Sequence, residues 1–364
     1  MRANINRWSF MFRSVVPLAT LALVASFLPA GAATLAVVAP TSGPFASLGA
    51  QIFAGAEKLA AEKKLTAVRI PESCEPGSGD KVAAAIVAAK ASAAVGFLCA
   101  ESLETGAGSL ERAGIPAISV SVRSKILFED VAKEGWPVFS LAPHFDDEAE
   151  KLISVIAEGW QGAAFAIVDD GTLPARELTE AVRTGLDDKG MKPQFADTFR
   201  PGLDNQIALV RRLQKANATH VLFAGDRSDA AIIARDAAAE NIPLTLLGGE
   251  ALNATDQSMP LADGVLAVLP PEKPETAKPV IDALAKVGVI AEGYVLPAYA
   301  AATIAASAIE TANRNGKPVA STLAGGQYDT VIGSFTFGKD VPHRNPYLLM
   351  AWRNGLFTPV DAMR

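Results

Sequence analysis

The 364-residue sequence predicts an α/β fold of two lobes, each built on a parallel sheet, joined by three crossings of the chain. Three observations carry this prediction. Short apolar runs such as Ala93-Ala94-Val95-Gly96-Phe97-Leu98 and Ile115-Pro116-Ala117-Ile118-Ser119-Val120 read as buried parallel strands, and segments of helical period lie between them. This alternation comes as two successive series of similar length, which means two parallel sheets with right-handed crossovers. Late in the chain the order breaks, with two helices that have no partner strands and then an alternating tail.

The elements follow in order. Residues 1–32 read as an export signal, with Arg2, Arg7 and Arg13, an apolar stretch Val15 to Leu28, and the small-residue cleavage site Ala30-Gly31-Ala32. A retained membrane anchor is the rival reading, but the apolar core is short for a span. Thr34 to Ala39 is a first strand. A turn-rich loop follows from Pro40 to Gly49, then a helix from about Ala50 to Lys64. Thr66 to Pro71 is a strand, and Asp80 can cap a helix to about Ala91. After the strand at 93–98, a helical pattern places Leu103, Ala107, Leu110 and Ala113 on one face and stops at Gly114. Phe139 to Pro143 reads as the first crossing.

In the second series, 148–159, 174–189, 204–216 and 228–240 are helical. The strands are 163–168, 194–199, 220–224 and 244–247, with 264–269 after them. The helices at 280–287 and 294–313 return to the first lobe. The tail, 330–337 and 348–352, reads as an antiparallel or edge addition. Bends at Leu141, Leu269 and Ser334 make a hinge. The lobes are then 33–141 with 270–330, and 142–269 with 331–364.

Composition narrows the partners. The formal charge is −6; removing residues 1–32 takes away three Arg and no acid, giving −9. Nucleic acid is excluded as a partner, since it requires clustered Lys and Arg. With no other long apolar span, the mature chain is expected to be soluble and periplasmic. Its two cysteines, Cys74 and Cys99, are expected to bond, as a lone pair in an exported chain usually does. Two buried free thiols are the alternative. His144, His220 and His343 are too scattered for a metal site. There is no Gly-x-Ser-x-Gly, no P-loop and no Gly-x-Gly-x-x-Gly after the first strand, so neither an enzyme nor a cofactor is expected.

The site is expected where the strands at 93–98 and 115–120 end, beside the helix start after Cys99. Open α/β sheets bind ligands at such strand ends, and a helix N-terminus favours an anion. Arg123 can grip a carboxylate bidentately, or be a surface ion-pair partner. Glu250 follows Gly248-Gly249, which let the backbone approach a ligand, and is a candidate for an ammonium group. Asp226 and Arg227 could join it, pair with each other or cap the following helix.

Together, Thr41-Ser42-Gly43-Pro44 with Leu48-Gly49, Cys74-Glu75-Pro76, Gly96-Phe97-Leu98-Cys99, Ile118-Ser119 and Gly248-Gly249-Glu250 make the chain resemble the periplasmic leucine/isoleucine/valine-binding proteins. These are the type I solute-binding components of ABC importers. The resemblance covers essentially the whole mature chain. It implies two Rossmann-like lobes on a three-strand hinge that close on a small solute, and a membrane permease as partner. It also implies ligand contacts at Leu48, Leu98, Ala100, Ser121 and Arg123 on the first lobe, and at Leu173, Asp226, Arg227 and Glu250 on the second. Ala100 stands where relatives often carry a hydroxyl, and Arg123 where they often carry Thr. Pro174 and Asp226 stand where aromatic residues usually cover the ligand. The expected solute is therefore an amino acid or related small zwitterion or carboxylate, not specifically a branched-chain one. A cytoplasmic ligand sensor of the amide-sensor type and an exported α/β hydrolase are the competing readings. The export signal argues against the first and the missing nucleophile elbow against the second.

Overall fold

The computed structural model describes residue 1 and residues 32–253, 259–271, 273–338 and 344–360. Chain contacts separate Met1–Ala32 from Ala33–Arg364, and the fold is that of the second unit. The expected export signal lies, at 2–31, outside the described residues.

The first lobe runs β1 (Thr34–Ala39), α1 (Ala46–Glu62), β2 (Thr66–Pro71), α2 (Gly79–Ala88), β3 (Ala93–Gly96), α3 (Ala100–Glu104), α4 (Ala107–Ala113), β4 (Ala117–Ser119), α5 (Lys125–Glu134) and β5 (Val138–Ser140). Its five strands form a wholly parallel sheet in the order β2-β1-β3-β4-β5. In β1, Leu35 to Ala39 are fully buried, as a strand covered on both faces must be.

The second lobe runs α6 (Asp147–Gly159), β6 (Phe165–Asp169), α7 (Leu173–Asp187), β7 (Phe195–Thr198), α8 (Ile207–Lys215), β8 (His220–Ala224), α9 (Arg227–Ala239), β9 (Thr245–Gly248) and β10 (Leu266–Leu269). The chain then returns to the first lobe with α10 (Lys278–Ala285), α11 (Val295–Asn315), α12 (Val319–Leu323) and the hairpin β11 (Gln327–Thr330) and β12 (Gly333–Thr336). It ends in β13 (Leu348–Arg353) and β14 (Leu356–Pro359), which extend the second sheet antiparallel to give β14-β13-β10-β9-β8-β6-β7.

Several details differ from the sequence reading, each for a physical reason. Val138–Ser140 is not a bare crossing but the fifth strand of the first sheet, paired with β4; three residues are too few to show a period. The helical face from Leu103 to Ala113 is split into α3 and α4 at Gly106. There α2 packs so closely that a Cβ on Gly79 would lie 2.6 Å from Gly106 N, and one on Gly106 would lie 2.9 Å from Gly79 O. The tail segment 331–337 does not go with the second lobe: Val331, Ile332, Phe335 and Phe337 pack on the α1–α11 core of the first. Ser334 accordingly lies within the hairpin, bonded to Asp329, and the third crossing comes after Phe337. Finally, α11 is a second apolar span, 21 residues long, but it is a core helix. Its alanines pack on α1, which comes near enough that a Cβ on Gly55 would meet the Val295 carbonyl.

Candidate functional site

The strand ends of the two lobes meet across a cleft, and the residues that meet are charged. Arg123 follows β4 on the first lobe, and Glu250 follows β9 on the second. Arg123 Nη1 and Nη2 donate to Glu250 Oε2 and Oε1 at 2.8 and 3.1 Å, a bidentate pair between lobes. Tyr347, just before β13, donates its hydroxyl to Glu250 Oε2 at 2.5 Å and accepts from Arg123 Nη1 at 3.0 Å. The side chains of the pair are 34% and 35% exposed, so water still screens it.

Electrostatics follow from these contacts. Burial alone would raise the Glu250 carboxyl, but Arg123 and Tyr347 outweigh it and hold its pKa below the ordinary value. Burial pushes the Glu148 carboxyl up, only partly offset by its hydrogen bond from the Glu250 backbone. That bond, Glu250 N to Glu148 Oε1 at 2.6 Å, fixes the Glu250 backbone to the start of α6. Gly249 makes the approach possible, since a Cβ there would lie 1.9 Å from Glu148 Oε1. Tyr347 is placed by its own chain: its N–H donates to Asn345 Oδ1 at 3.0 Å, and Asn345 Nδ2 donates to Asp147 O at 2.7 Å.

The first-lobe rim is built from backbone and small side chains. Past β3 the chain turns through positive φ at Gly96 and Phe97. A Cβ on Gly96 would lie 2.2 Å from Val38 O, so only glycine fits. Leu98 then donates its N–H to Oε1 of the buried Glu72 at 2.6 Å, and its carbonyl accepts Ser121 Oγ at 3.0 Å. Burial raises the Glu72 carboxyl, opposed in part by the Leu98 N–H. Ala100 opens α3 right after Cys99, which is bonded to Cys74 with a Cα–Cα distance of 5.0 Å. These two sulfurs and Glu101 bring donor atoms within 4.8 Å, but bonded sulfurs offer no thiolate to a metal.

Of the residues expected at the site, the structure brings Arg123 and Glu250 into contact and ties Ser121 to the Leu98 carbonyl, while Ala100, at the start of α3, packs against a first-lobe core. Leu48 is half-buried on α1. Leu173, the first residue of α7, is 69% exposed, and its side chain meets solvent. Asp226 and Arg227 do not pair: Asp226 caps α9, accepting Asp229 N–H at 3.0 Å, and the Arg227 guanidinium lies 4.1 Å from the centre of the Trp352 ring. Residues the sequence reading missed are Glu148, Tyr294 and Tyr347. The Tyr294 phenol is shifted up by burial, Arg123 opposing and Glu250 adding, and Ser121 hydrogen-bonds it; its backbone N–H is held by Gln51 Oε1 at 3.1 Å. The chain has four tyrosines, and two of them reach this group. Scarcity was the one available signal. Aromatic side chains arrive from the returning segments, not from positions 174 and 226.

A family model described as periplasmic binding protein matches residues 32–355, and the chain belongs to that family. Among curated proteins, it is 26% identical over 324 residues to the Leu/Ile/Val/Thr-binding protein of Salmonella typhimurium, covering 83% of this chain and 86% of that one. It is 24% identical to the leucine-, isoleucine-, valine-, threonine- and alanine-binding protein of Pseudomonas aeruginosa, covering 93% of each. Its fold, that of the type I periplasmic binding proteins, matches a putative branched-chain amino acid ABC transporter from Rhodospirillum rubrum with a TM-score of 0.73 at 15% identity, over 90% of this chain and 100% of that one. It also matches a solute-binding protein from R. palustris in complex with 4-hydroxybenzoate, with a TM-score of 0.64 at 14% identity, over 92% and 97%.

Proposed function

We propose that the chain is the extracytoplasmic solute receptor of an ABC importer. It captures an amino acid or a related small zwitterion or carboxylate between the lobes and presents it to a membrane permease. The observation that carries this reading is the Arg123–Glu250 pair, which puts a cation and an anion at adjoining points of the cleft, one from each lobe. A zwitterion laid across the cleft matches both, and closing the hinge on it is how two weak half-sites become one site. Neutral sugars would leave both charges without ligand partners.

A second reading, an aromatic acid, is favoured by the neighbour in complex with 4-hydroxybenzoate and by Arg123, which can hold a carboxylate without help from an ammonium site. The test is a melting-temperature screen of the purified mature chain against amino acids, small aliphatic acids, benzoate, 4-hydroxybenzoate and amides. A ligand at about 100 times its dissociation constant adds roughly 2.7 kcal/mol to stability. Amino acids at the top of the ranking support the first reading, and benzoates at the top support the second. If no compound of these classes raises the melting temperature, both are overturned.

A further inference from the structure

The donors around the Glu250 carboxylate form a complete receptor for a carboxylate. Arg123 presents two N–H groups and Tyr347 one O–H, all converging on the same two oxygens at 2.5–3.1 Å. Distances of this kind mark charge-assisted bonds, and the fork of a guanidinium is shaped for a carboxylate. The two donors come from different segments: Arg123 from the first lobe, and Tyr347 from the end of the third crossing. The group they hold is a side chain, while the Glu250 backbone is anchored separately by Glu148. The carboxylate can therefore swing out by rotation of its own side chain without moving the strand end that carries it.

We propose that Arg123 and Tyr347 read the solute's carboxylate, and that Glu250 is an internal occupant of that place which the solute displaces. This deepens the receptor reading above and rests on it for the identity of the cleft. The exchange sets a rule of selection. When a solute carboxylate takes the place of Glu250, the Glu250 charge loses its cation and stands near the newcomer and near Glu148. A solute with an ammonium group supplies the missing cation, giving an alternating row of guanidinium, carboxylate, ammonium and carboxylate. A plain acid leaves adjoining anions in a partly desolvated cleft. Glu250 thus selects zwitterions over matched acids that lack the amine, and Tyr347 is a specificity residue.

Propionate, which has the length of the glutamate side chain beyond Cα, tests this without knowledge of the solute. Titrated by calorimetry into the full mature chain, it should give no saturable heat with the native sequence. With Glu250→Ala it should bind one site, tighter than in the native chain by about 30-fold or more, the scale of hydrogen bonds to a charged group. Adding Arg123→Ala to that variant should abolish binding, and adding Tyr347→Phe should weaken it about 10-fold or more, the worth of one such bond. Glu250→Gln keeps the shape of the side chain and serves if the alanine variant does not fold; it too should admit propionate. The proposal is overturned if a cooperatively melting Glu250 variant takes up no propionate, or if the native chain takes it up equally well. Unchanged affinity on adding Tyr347→Phe removes Tyr347 from it. Because propionate probes the donors alone, a failed solute screen does not bear on this result, and a failed titration leaves the receptor reading standing.

Discussion

On the first lobe, the residues facing the cleft are held by a covalent bridge and by backbone hydrogen bonds: Cys74–Cys99, Leu98 to Glu72, and Ser121 to Leu98. On the second lobe, Glu148 and Asn345 place the backbones of Glu250 and Tyr347, but the Glu250 carboxylate itself is held by Tyr347 and by Arg123 from across the cleft. The first rim is set by the fold of its own lobe. The second depends on charge, and so on pH, on a partner from the other lobe and on whatever enters between.

The largest effect should come from cutting the link between the sides. Arg123→Ala should weaken the best solute of the screen by roughly 2–5 kcal/mol in calorimetry, as loss of one partner of a hydrogen-bonded charge pair does. Equal affinity would move the site away from the pair. On the first side, replacing both cysteines by serine should lower unfolding free energy by about 3 kcal/mol in urea, the worth of closing a loop of this length. Solute ranking should be preserved, because the charged residues are untouched; a reordered ranking would show that the first rim also selects.

A smaller effect is expected at Gly249. Gly249→Ala must push the Glu148 carboxylate off the Glu250 backbone, costing roughly 1–3 kcal/mol as overpacking does. A cost near zero in thermal unfolding would mean that Glu148 rotates away freely. The smallest effect is in pH. Glu250 has a depressed pKa in the folded chain, so its contribution is present above its unfolded pKa and is lost as pH falls through the folded value. Glu250→Gln should therefore cost up to about 1 kcal/mol at neutral pH, a figure limited by solvent screening. The difference from the native chain should begin to shrink as pH falls past the ordinary glutamate value of about 4.3 and vanish once pH is below the folded value. A difference constant from pH 7 to pH 3 would mean that the charge does not matter. Glu148 has the opposite sign: its raised pKa gives stability that is kept at low pH and lost as pH rises.

Arg123 and Glu250 were legible in the sequence because each follows an apolar run directly, and the ends of parallel strands converge on one edge of a sheet. The parallel series and their crossovers were legible for the same reason: strand and helix periods differ. Tyr347 and Glu148 were not. Tyr347 precedes an antiparallel strand, and Glu148 sits in an acidic helix start that reads as dipole compensation. Their meeting with Glu250 is a matter of how the returning segments dock. The hairpin 327–336 was read as partly belonging to the second lobe, because alternation reveals a strand but not which core it will cover. The expected export signal lies, at 2–31, outside the described residues.

Cys74 follows β2 and Cys99 follows β3, yet these strands are not neighbours, since β1 lies between them. The bridge, with the Glu72–Leu98 bond beside it, therefore runs like a strut over the exit of the middle strand. Burial on both faces already fixes the register of β1 with its neighbours; the disulfide adds a covalent tie between the segments that leave β2 and β3. On the receptor reading proposed above, a load placed on Leu98 would pass through these links to the β2 edge.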